Sequence, residues 1–251
     1  MDKITIITVV YNWAQTIGRT IESVLSQTYQ NIEYIIIDGN SNDGTIEIIE
    51  KYSNRLARFV SEKDSGIYNA MNKGLLYATG EWVMFLNSDD YLSSSSALSS
   101  VMMDKACVAD SDILCCDYII DKEGIQYRKA PRISNPNIAK KTLLRRMFVS
   151  HPATMVRRHI MQDYRFNESY SISADFDLFR LLFAAGRKFS YINYPLTVYS
   201  AGGFADKHYI KMICENSRIV TGRKYSLYFC GELVRFLMYR IRKIFTKWTL
   251  V

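Results

Sequence analysis

Strand-like apolar runs that stop abruptly at carboxylates constrain this chain more than any other feature. One is Tyr34-Ile35-Ile36-Ile37, ending at Asp38; another is the segment Glu81 to Leu86, ending in Asn87-Ser88-Asp89-Asp90. Such runs, with little alternation of polar residues, suit strands buried on both faces, as in parallel sheets sandwiched by helices. A third run, Ile4 to Val10, ends in Tyr11-Asn12 and leads to Ile17, Ile21, Val24 and Leu25 at helical spacing. After Asp38 comes Gly39-Asn40-Ser41-Asn42-Asp43-Gly44, too rich in Gly, Asn and Ser to continue a strand, and then a helix opening at Thr45. Three polar strand ends, each feeding a helix, predict successive β-α units. Their tips then gather along one edge of the sheet, where open α/β folds bind ligands.

Asp89 and Asp90 repel each other unless positive charge lies between them. A Mg²⁺ or Mn²⁺ ion carrying a phosphorylated ligand would supply it, because hard cations take oxygen ligands. A plain surface turn uses the same residue types, so the pair alone leaves both readings open. The second acidic turn, at Asp38, shifts the balance towards a ligand crevice.

Composition sets the frame around this edge. At 251 residues the chain is long enough for one large α/β domain, with or without an appendage. The five cysteines, Cys107, Cys115, Cys116, Cys214 and Cys230, form neither a paired framework nor a metal-ligand spacing, which predicts reduced thiols in a reducing compartment. Met1-Asp2-Lys3 and the short run after it lack the cleavage site of a signal peptide, and no apolar stretch nears the ~20 residues that cross a bilayer. The net charge is +7, yet residues 233–251 hold Arg235, Arg240, Arg242, Lys243 and Lys247 and no acid. Without them 27 basic residues face 25 acidic ones, so the body is close to neutral and a nucleic-acid docking face is not expected.

Beyond Asp90 the pattern is less regular. Ala97 to Lys105 reads as a short helix, and Asp112 to Ile120 and Gln126 to Lys129 as strands about a turn at Glu123-Gly124. Pro131 and Pro136 bracket a loop before a helical stretch, Ile138 to Phe148, and Thr154 to Arg157 reads as a strand. Ser171 to Leu182 opens a helix with Asp175 and Asp177 in its first turn, where the helix dipole stabilises acids whether or not they act.

Four segments follow one another in a telling order: Ile7 to Asn12, Asp38 to Thr45, Ser61 to Gly74, and Ala78 to Trp82 running into Asn87-Ser88-Asp89-Asp90. Together they resemble glycosyltransferase family 2 over residues 1 to about 200, a far more specific match than any single motif. The resemblance implies an α/β fold of the GT-A type, with a Rossmann-like, mixed and mainly parallel sheet flanked by helices. Residues 1–204 are then the catalytic domain and 205–251 a C-terminal amphipathic helical tail. It also implies a transferase that uses a nucleotide-sugar donor, with uridine diphosphate the commonest carrier, and Mn²⁺ or Mg²⁺ as cofactor. In the family's pattern Asp38 meets the base, Val10, Tyr11 and Asn12 line its pocket, and Asn87 and Ser88 lie by the ribose. Asp89 and Asp90 hold the metal, and Asp64 occupies an often acidic donor position. Asn69 and Lys73, helical neighbours near Tyr68 and Asn72, face either the donor or solvent.

Ala174-Asp175 sits where the family usually carries an acid pair, so the resemblance makes Asp175 the catalytic base, with Asp177 the poorer candidate. Displacement opposite the leaving group would invert the anomeric centre. His151, in Ser150-His151-Pro152-Ala153-Thr154, is placed near the acceptor or diphosphate; Tyr199 to Phe204 reads as a flap, and His208 as a residue reaching towards metal or phosphate.

The chain departs from the pattern in several places. Asn87 brings no charge to a metal, Gly39 replaces a frequent second acid after Asp38, and Ala174 leaves Asp175 alone. No Gln-x-x-Arg-Trp segment marks a processive synthase, so one sugar per encounter is expected, onto a glycan or lipid-linked acceptor. A nucleotidyltransferase would prefer a Gly-rich basic loop after the first strand, and Tyr11 to Thr16 has neither Gly nor Lys or Arg. A non-catalytic nucleotide-sugar sensor stays open. No Gly-x-Gly-x-x-Gly follows a predicted strand, which argues against a dinucleotide-dependent oxidoreductase.

In the tail, Leu233, Val234, Leu237, Met238, Ile241, Ile244, Phe245 and Trp248 project to one side of a helix and the five cations to the other. The expected partner is an anionic membrane surface, with the catalytic body or a second subunit in a homo-oligomer as alternatives. A cytoplasmic enzyme, peripheral on the inner face of the membrane, follows.

Overall fold

A computed structural model describes every residue except 123, 136, 139, 201–206 and 249–251, with side chains described outside 200 and 239–248. Strand β1 (Ile4–Val10) is buried throughout, and β2 (Ile32–Asp38) is buried in all but its first residue. Alternate side chains serve two covered faces. Ile4, Ile6 and Val10 join Ile17, Ile21 and Val24 of α1 (Ile17–Leu25) in one core. Ile7 and Ile37 face Gly74 of α3 (Ile67–Tyr77), where an added Cβ would stand 2.5 Å from Ile7 Cγ2. Glycine there lets the helix backbone approach the sheet more closely than any side chain would allow.

Parallel pairing aligns Val10 with Asp38, Asp38 with Ser61 of β3 (Arg58–Ser61), and Ile7 with Phe85 of β4 (Trp82–Phe85). Leu86 adds one more ladder bond, donating to Ile7 C=O at 3.0 Å. Four strand ends therefore reach one edge. Past β4 the sheet is mixed: β8 (Thr154–Arg157) runs antiparallel to both β4 and β6 (Ile113–Lys122), and β9 (Phe189–Ser200) runs parallel to β6. Short β5 (Tyr91–Leu92) closes the order β3-β2-β1-β4-β8-β6-β9-β5, while β7 (Ile125–Lys129) pairs only with β6. This is the expected α/β fold, a mixed sheet flanked by helices.

Several local expectations change. The helix expected over Ala97 to Lys105 is two, Ala97–Met102 and Lys105–Ala109, because Asp104 caps the second by accepting from Cys107 N–H at 3.0 Å. Of the helix expected over Ile138 to Phe148 only Lys140–Leu143 forms; Leu143 is its one buried residue, so little apolar surface rewards a longer element. Strand β9 was not legible, since Pro195 interrupts it; the proline sits where the register with β6 shifts, a bulge that tolerates the missing N–H. Tyr199 and Ser200 of the expected flap belong to β9, and residues 201–204 lie outside the described residues. So does Glu123 of the expected turn; its partner Gly124 has φ +83.

The chain divides into two compact units, Met1–Ala201 and Gly202–Val251. The first holds the sheet. The second is built on two helices, Tyr209–Thr221 and Leu227–Trp248, with Tyr209 stacked on Phe236 at 4.3 Å between ring centroids. Among the described residues no helix is long and apolar enough to cross a membrane.

At the edge opposite the polar tips, Glu33 is buried and accepts from Lys3 Nζ at 2.8 Å, Thr5 Oγ1 at 2.6 Å, and Thr79 N–H and hydroxyl at 2.7 and 2.5 Å. Burial alone would raise its pKa; the hydrogen bonds from Lys3, Thr5 and Thr79 outweigh it and hold the carboxyl at about 2, below the ordinary 4.5. A depressed folded pKa stabilises the fold above the ordinary value and ceases to do so as pH falls towards the folded one. Glu33→Gln is expected to lower stability at neutral pH by about 1–3 kcal/mol. It should also flatten the loss of stability between pH 4.5 and 2. Urea unfolding across pH checks both, and parallel profiles for the two proteins would exclude Glu33 as the responsible group.

Candidate active site

Asp38 ends β2 fully buried, and its carboxylate is occupied by its own surroundings. Ser41 donates to it from the backbone at 2.9 Å and from its hydroxyl at 2.5 Å, and the Ser61 hydroxyl donates at 2.7 Å. Ser41 Oγ in turn accepts from Asn12 N–H at 2.8 Å. The residue expected to meet a ligand base thus ties together the ends of β1, β2 and β3.

The loops after β1 and β2 are stitched by three more bonds. Asn42 N–H donates to Asn12 Oδ1 at 2.9 Å, Trp13 N–H to Thr45 Oγ1 at 3.0 Å, and Ala14 N–H to Asp43 Oδ2 at 3.1 Å. The Thr45 hydroxyl, opposed by burial and helped by backbone N–H groups, holds Asp43 below the ordinary carboxylate range. Asn12 and Asn40 take left-handed backbone, φ +56 and +68, which Asn tolerates better than most residues. Tyr11 is left 58% exposed, while Val10 is buried. A Cβ on Gly39 would fall 2.6 Å from Asp64 Oδ2 and 3.3 Å from Tyr11 Cδ2. The Asp64 carboxylate therefore lies against the position where the family's second acid would branch, beside Tyr11.

Helix α3 meets two acidic side chains, Glu168 and Glu62. Asn69 Nδ2 donates to Glu168 at 2.9 Å, Asn72 Nδ2 to Glu168 at 2.8 Å and to Phe166 C=O at 2.9 Å, and Lys73 pairs with Glu62 at 2.7 Å. Sequence reasoning singled out none of these partners: Glu168 and Glu62 stand outside the quoted motifs or carry no pattern of their own. Tyr68 is the informative residue. Its hydroxyl lies 2.6 Å from Ile172 C=O and 3.2 Å from Asp175 Oδ1, joining α3 to the start of α8 (Ala174–Ala184). Asp175 Oδ1 also accepts from Phe176 N–H at 2.8 Å.

The loop after β4 is gripped by α1. Thr16 and Thr20 hydroxyls donate to Ser88 C=O at 2.8 and 3.0 Å, Thr20 also to Asp90 C=O at 2.7 Å, and Arg19 to Asp89 C=O at 2.9 Å. Ser88 is buried, and Asp90 is buried with Asn87 Nδ2 donating to it at 2.9 Å. Burial raises the pKa of Asp89, against the pull of its own backbone and Arg19. Burial and then the charge of Asp89 raise Asp90 well above its ordinary value, against the Asn87 hydrogen bond and Arg19. The pair is short of positive charge. Among the described residues no three His, Cys, Asp or Glu side chains stand together to hold an ion. The oxygen donors fit a hard cation such as Mg²⁺ or Mn²⁺, which these two carboxylates would hold only in part. Asp89 is the less enclosed of the two.

His151 is placed among Phe85, Phe166 and Phe179, with ring centroids 5.4–5.8 Å away, and its buried Nε2 has no hydrogen-bond partner among the described residues. Burial lowers its pKa to about 4, so the ring is neutral at physiological pH, and its surroundings are aromatic rather than anionic. Asp177 is half-buried, which raises its pKa against a hydrogen bond from Asn167 and the charge of Arg180. His208 immediately precedes the helix Tyr209–Thr221 in the second unit, at its N-cap position.

Residues 5–165 match the family model described as glycosyl transferase family 2. The chain is 44% identical over 94 residues to the Escherichia coli UDP-Glc:alpha-D-GlcNAc-diphosphoundecaprenol beta-1,3-glucosyltransferase WfaP, a match that covers 36% of this chain and only 37% of that relative. The fold superposes on S. aureus TarS 1-349 in complex with UDP with TM-score 0.66, at 20% identity over 87% of this chain and 64% of the other. It also superposes on the mannosyltransferase PcManGT from Pyrobaculum calidifontis in complex with GDP-Man and Mn²⁺, with TM-score 0.63 at 16% identity, over 87% of this chain and 63% of the other.

The left-handed backbone at Asn12 carries its own test. Asn12→Ala is expected to cost about 1–3 kcal/mol, from backbone strain and a lost bond to Asn42. Asn12→Gly, which relieves the strain, should cost roughly 1 kcal/mol less. Urea unfolding distinguishes them, and equal losses would show that the backbone conformation contributes nothing.

Proposed function

The chain belongs to glycosyltransferase family 2, and from that premise we propose that it is an inverting, metal-dependent enzyme. It moves one sugar from a nucleoside-diphosphate sugar, with uridine as the default nucleoside, to a hydroxyl of a glycan or lipid-linked acceptor in cell-surface polysaccharide synthesis. The observation that carries this reading is the collection of an exposed aromatic ring and acidic groups, Tyr11, Asp64 and Asp89, at one edge of the parallel strands. UDP in the TarS complex, Mn²⁺ in the mannosyltransferase complex, and the lipid-linked acceptor named for the E. coli relative support it.

In this reading the Tyr11 ring stacks on the nucleobase, and Asp64, fixed by its bond from Gly66 N–H at 2.9 Å, accepts from base or ribose. Asp38 acts one step back by holding both loops in place. Asp89, with Asp90 behind it, would hold the divalent ion, which supplies positive charge where the leaving diphosphate gathers negative charge. Asp175 takes the proton from the acceptor hydroxyl as its oxygen attacks the anomeric carbon. Tyr68 and the Phe176 N–H hold that carboxylate in place, so little reorganisation accompanies the transfer.

Asp89→Ala is expected to abolish metal-dependent transfer with the fold intact, since it removes a partly buried charge and no core volume. Circular dichroism and a donor-hydrolysis screen over a panel of nucleotide sugars, with and without Mn²⁺, check this; substantial Mn²⁺-dependent turnover would remove Asp89 from the metal site. Asp175→Asn keeps the shape of the side chain and loses its basicity, so turnover should fall by about 10²-fold or more while donor affinity holds. Lost donor affinity with surviving turnover would make Asp175 a binding residue. Native protein that binds a donor but hydrolyses and transfers none would be a nucleotide-sugar sensor.

A further inference from the structure

The second unit concentrates the molecule's charge. Gly202–Val251 contains ten Lys and Arg against three acids, which leaves 22 basic and 22 acidic residues in Met1–Ala201. The whole formal charge of +7 thus belongs to the unit of two helices. The helix Leu227–Trp248 also carries an uncovered apolar stripe: Leu227 is 92% exposed, Val234 55% and Met238 51%, at positions i, i+7 and i+11 of one face. Leu237, half exposed, widens it. Among the described residues, the ring contact between the two helices of this unit lies off the centre of the stripe. Phe236, which stacks on Tyr209, is two residues from both Val234 and Met238 and so lies on the opposite side of the helix. In the sequence the register continues with apolar residues at 241, 245 and 248.

We infer that this stripe docks on an anionic lipid bilayer, with the helix lying in the plane of the interface. Two observations select that occupant. An apolar stripe beside an acid-free run of five cations is the composition of an interfacial helix, whose cations meet lipid phosphates while its apolar side enters the acyl boundary. A second copy of the chain would bring two units of the same positive charge together, which opposes association through this face. The helix is too polar to span a bilayer.

The test is co-sedimentation of the full chain with vesicles of phosphatidylcholine alone or mixed in equal parts with phosphatidylglycerol, at low and high salt. The native chain should partition onto the mixed vesicles, and lose most of that binding on neutral vesicles or at high salt. Val234→Asp combined with Met238→Asp should weaken partition to mixed vesicles roughly tenfold or more, because two half-exposed apolar side chains no longer enter the interface. Neither change removes core volume, and an unchanged circular dichroism spectrum confirms the fold. A second variant, Arg240→Gln with Lys243→Gln, should weaken binding to mixed vesicles and leave neutral vesicles unaffected. Equal binding by the native chain and the Val234/Met238 variant, or indifference to lipid charge, would overturn the proposal. So would self-association without vesicles that the aspartates abolish, since the stripe would then be covered by another copy. No readout uses a sugar nucleotide, so failure here leaves the catalytic reading standing, and the reverse holds equally.

Discussion

A buried carboxylate must find donors, and the donors Asp38 finds decide how this edge of the sheet is built. An ionised group without water costs several kcal/mol unless its hydrogen bonds are replaced. Three come from two serines, one in the loop after β2 and one at the end of β3, and the first of these also holds Asn12 after β1. One charge therefore locks three chain reversals. The exposed position of Tyr11, the fit of Asp64 over Gly39 and the start of α1 all follow from that lock. α1 then carries it to the fourth strand end through Thr16 and Thr20, whose hydroxyls grip the carbonyls of Ser88 and Asp90.

The two edges of the sheet treat carboxylates in opposite ways. Glu33 is saturated by Lys3, Thr5 and Thr79 and held ionised far into acid. Asp89 and Asp90 are enclosed with too few donors and each other for company, so both resist ionisation. Interactions at the first edge stabilise the fold by themselves. At the second the protein leaves two neighbouring carboxylates with little positive charge beside them, a pattern common at functional positions where local rules of stability are broken.

The apolar strands, their polar ends and the helices that follow them were legible because continuous burial on both faces leaves an unmistakable run in β1, β2 and β4. Strand β9 was hidden by Pro195, whose bulge appears only when β6 lies beside it. At the site, the residue types with charge or ring at the strand ends were readable, but their partners were not. Ser61 looks like any strand-end serine until Asp38 is found 2.7 Å away. Nothing in the spacing of Asn69 and Asn72 pointed to Glu168, nearly a hundred residues on, to which both side chains donate. The phenyl rings around His151 were equally hidden, because they come together by packing and not by pattern.

The even balance of 22 basic and 22 acidic residues in the sheet-bearing unit has a colloidal consequence. A particle near its isoelectric point has little long-range repulsion to keep copies apart, and precipitates more readily than one with several net charges. The helical unit therefore doubles as the molecule's electrostatic ballast. Shortening the chain to Ala201 would leave a protein at its solubility minimum near neutral pH, even with every strand in place.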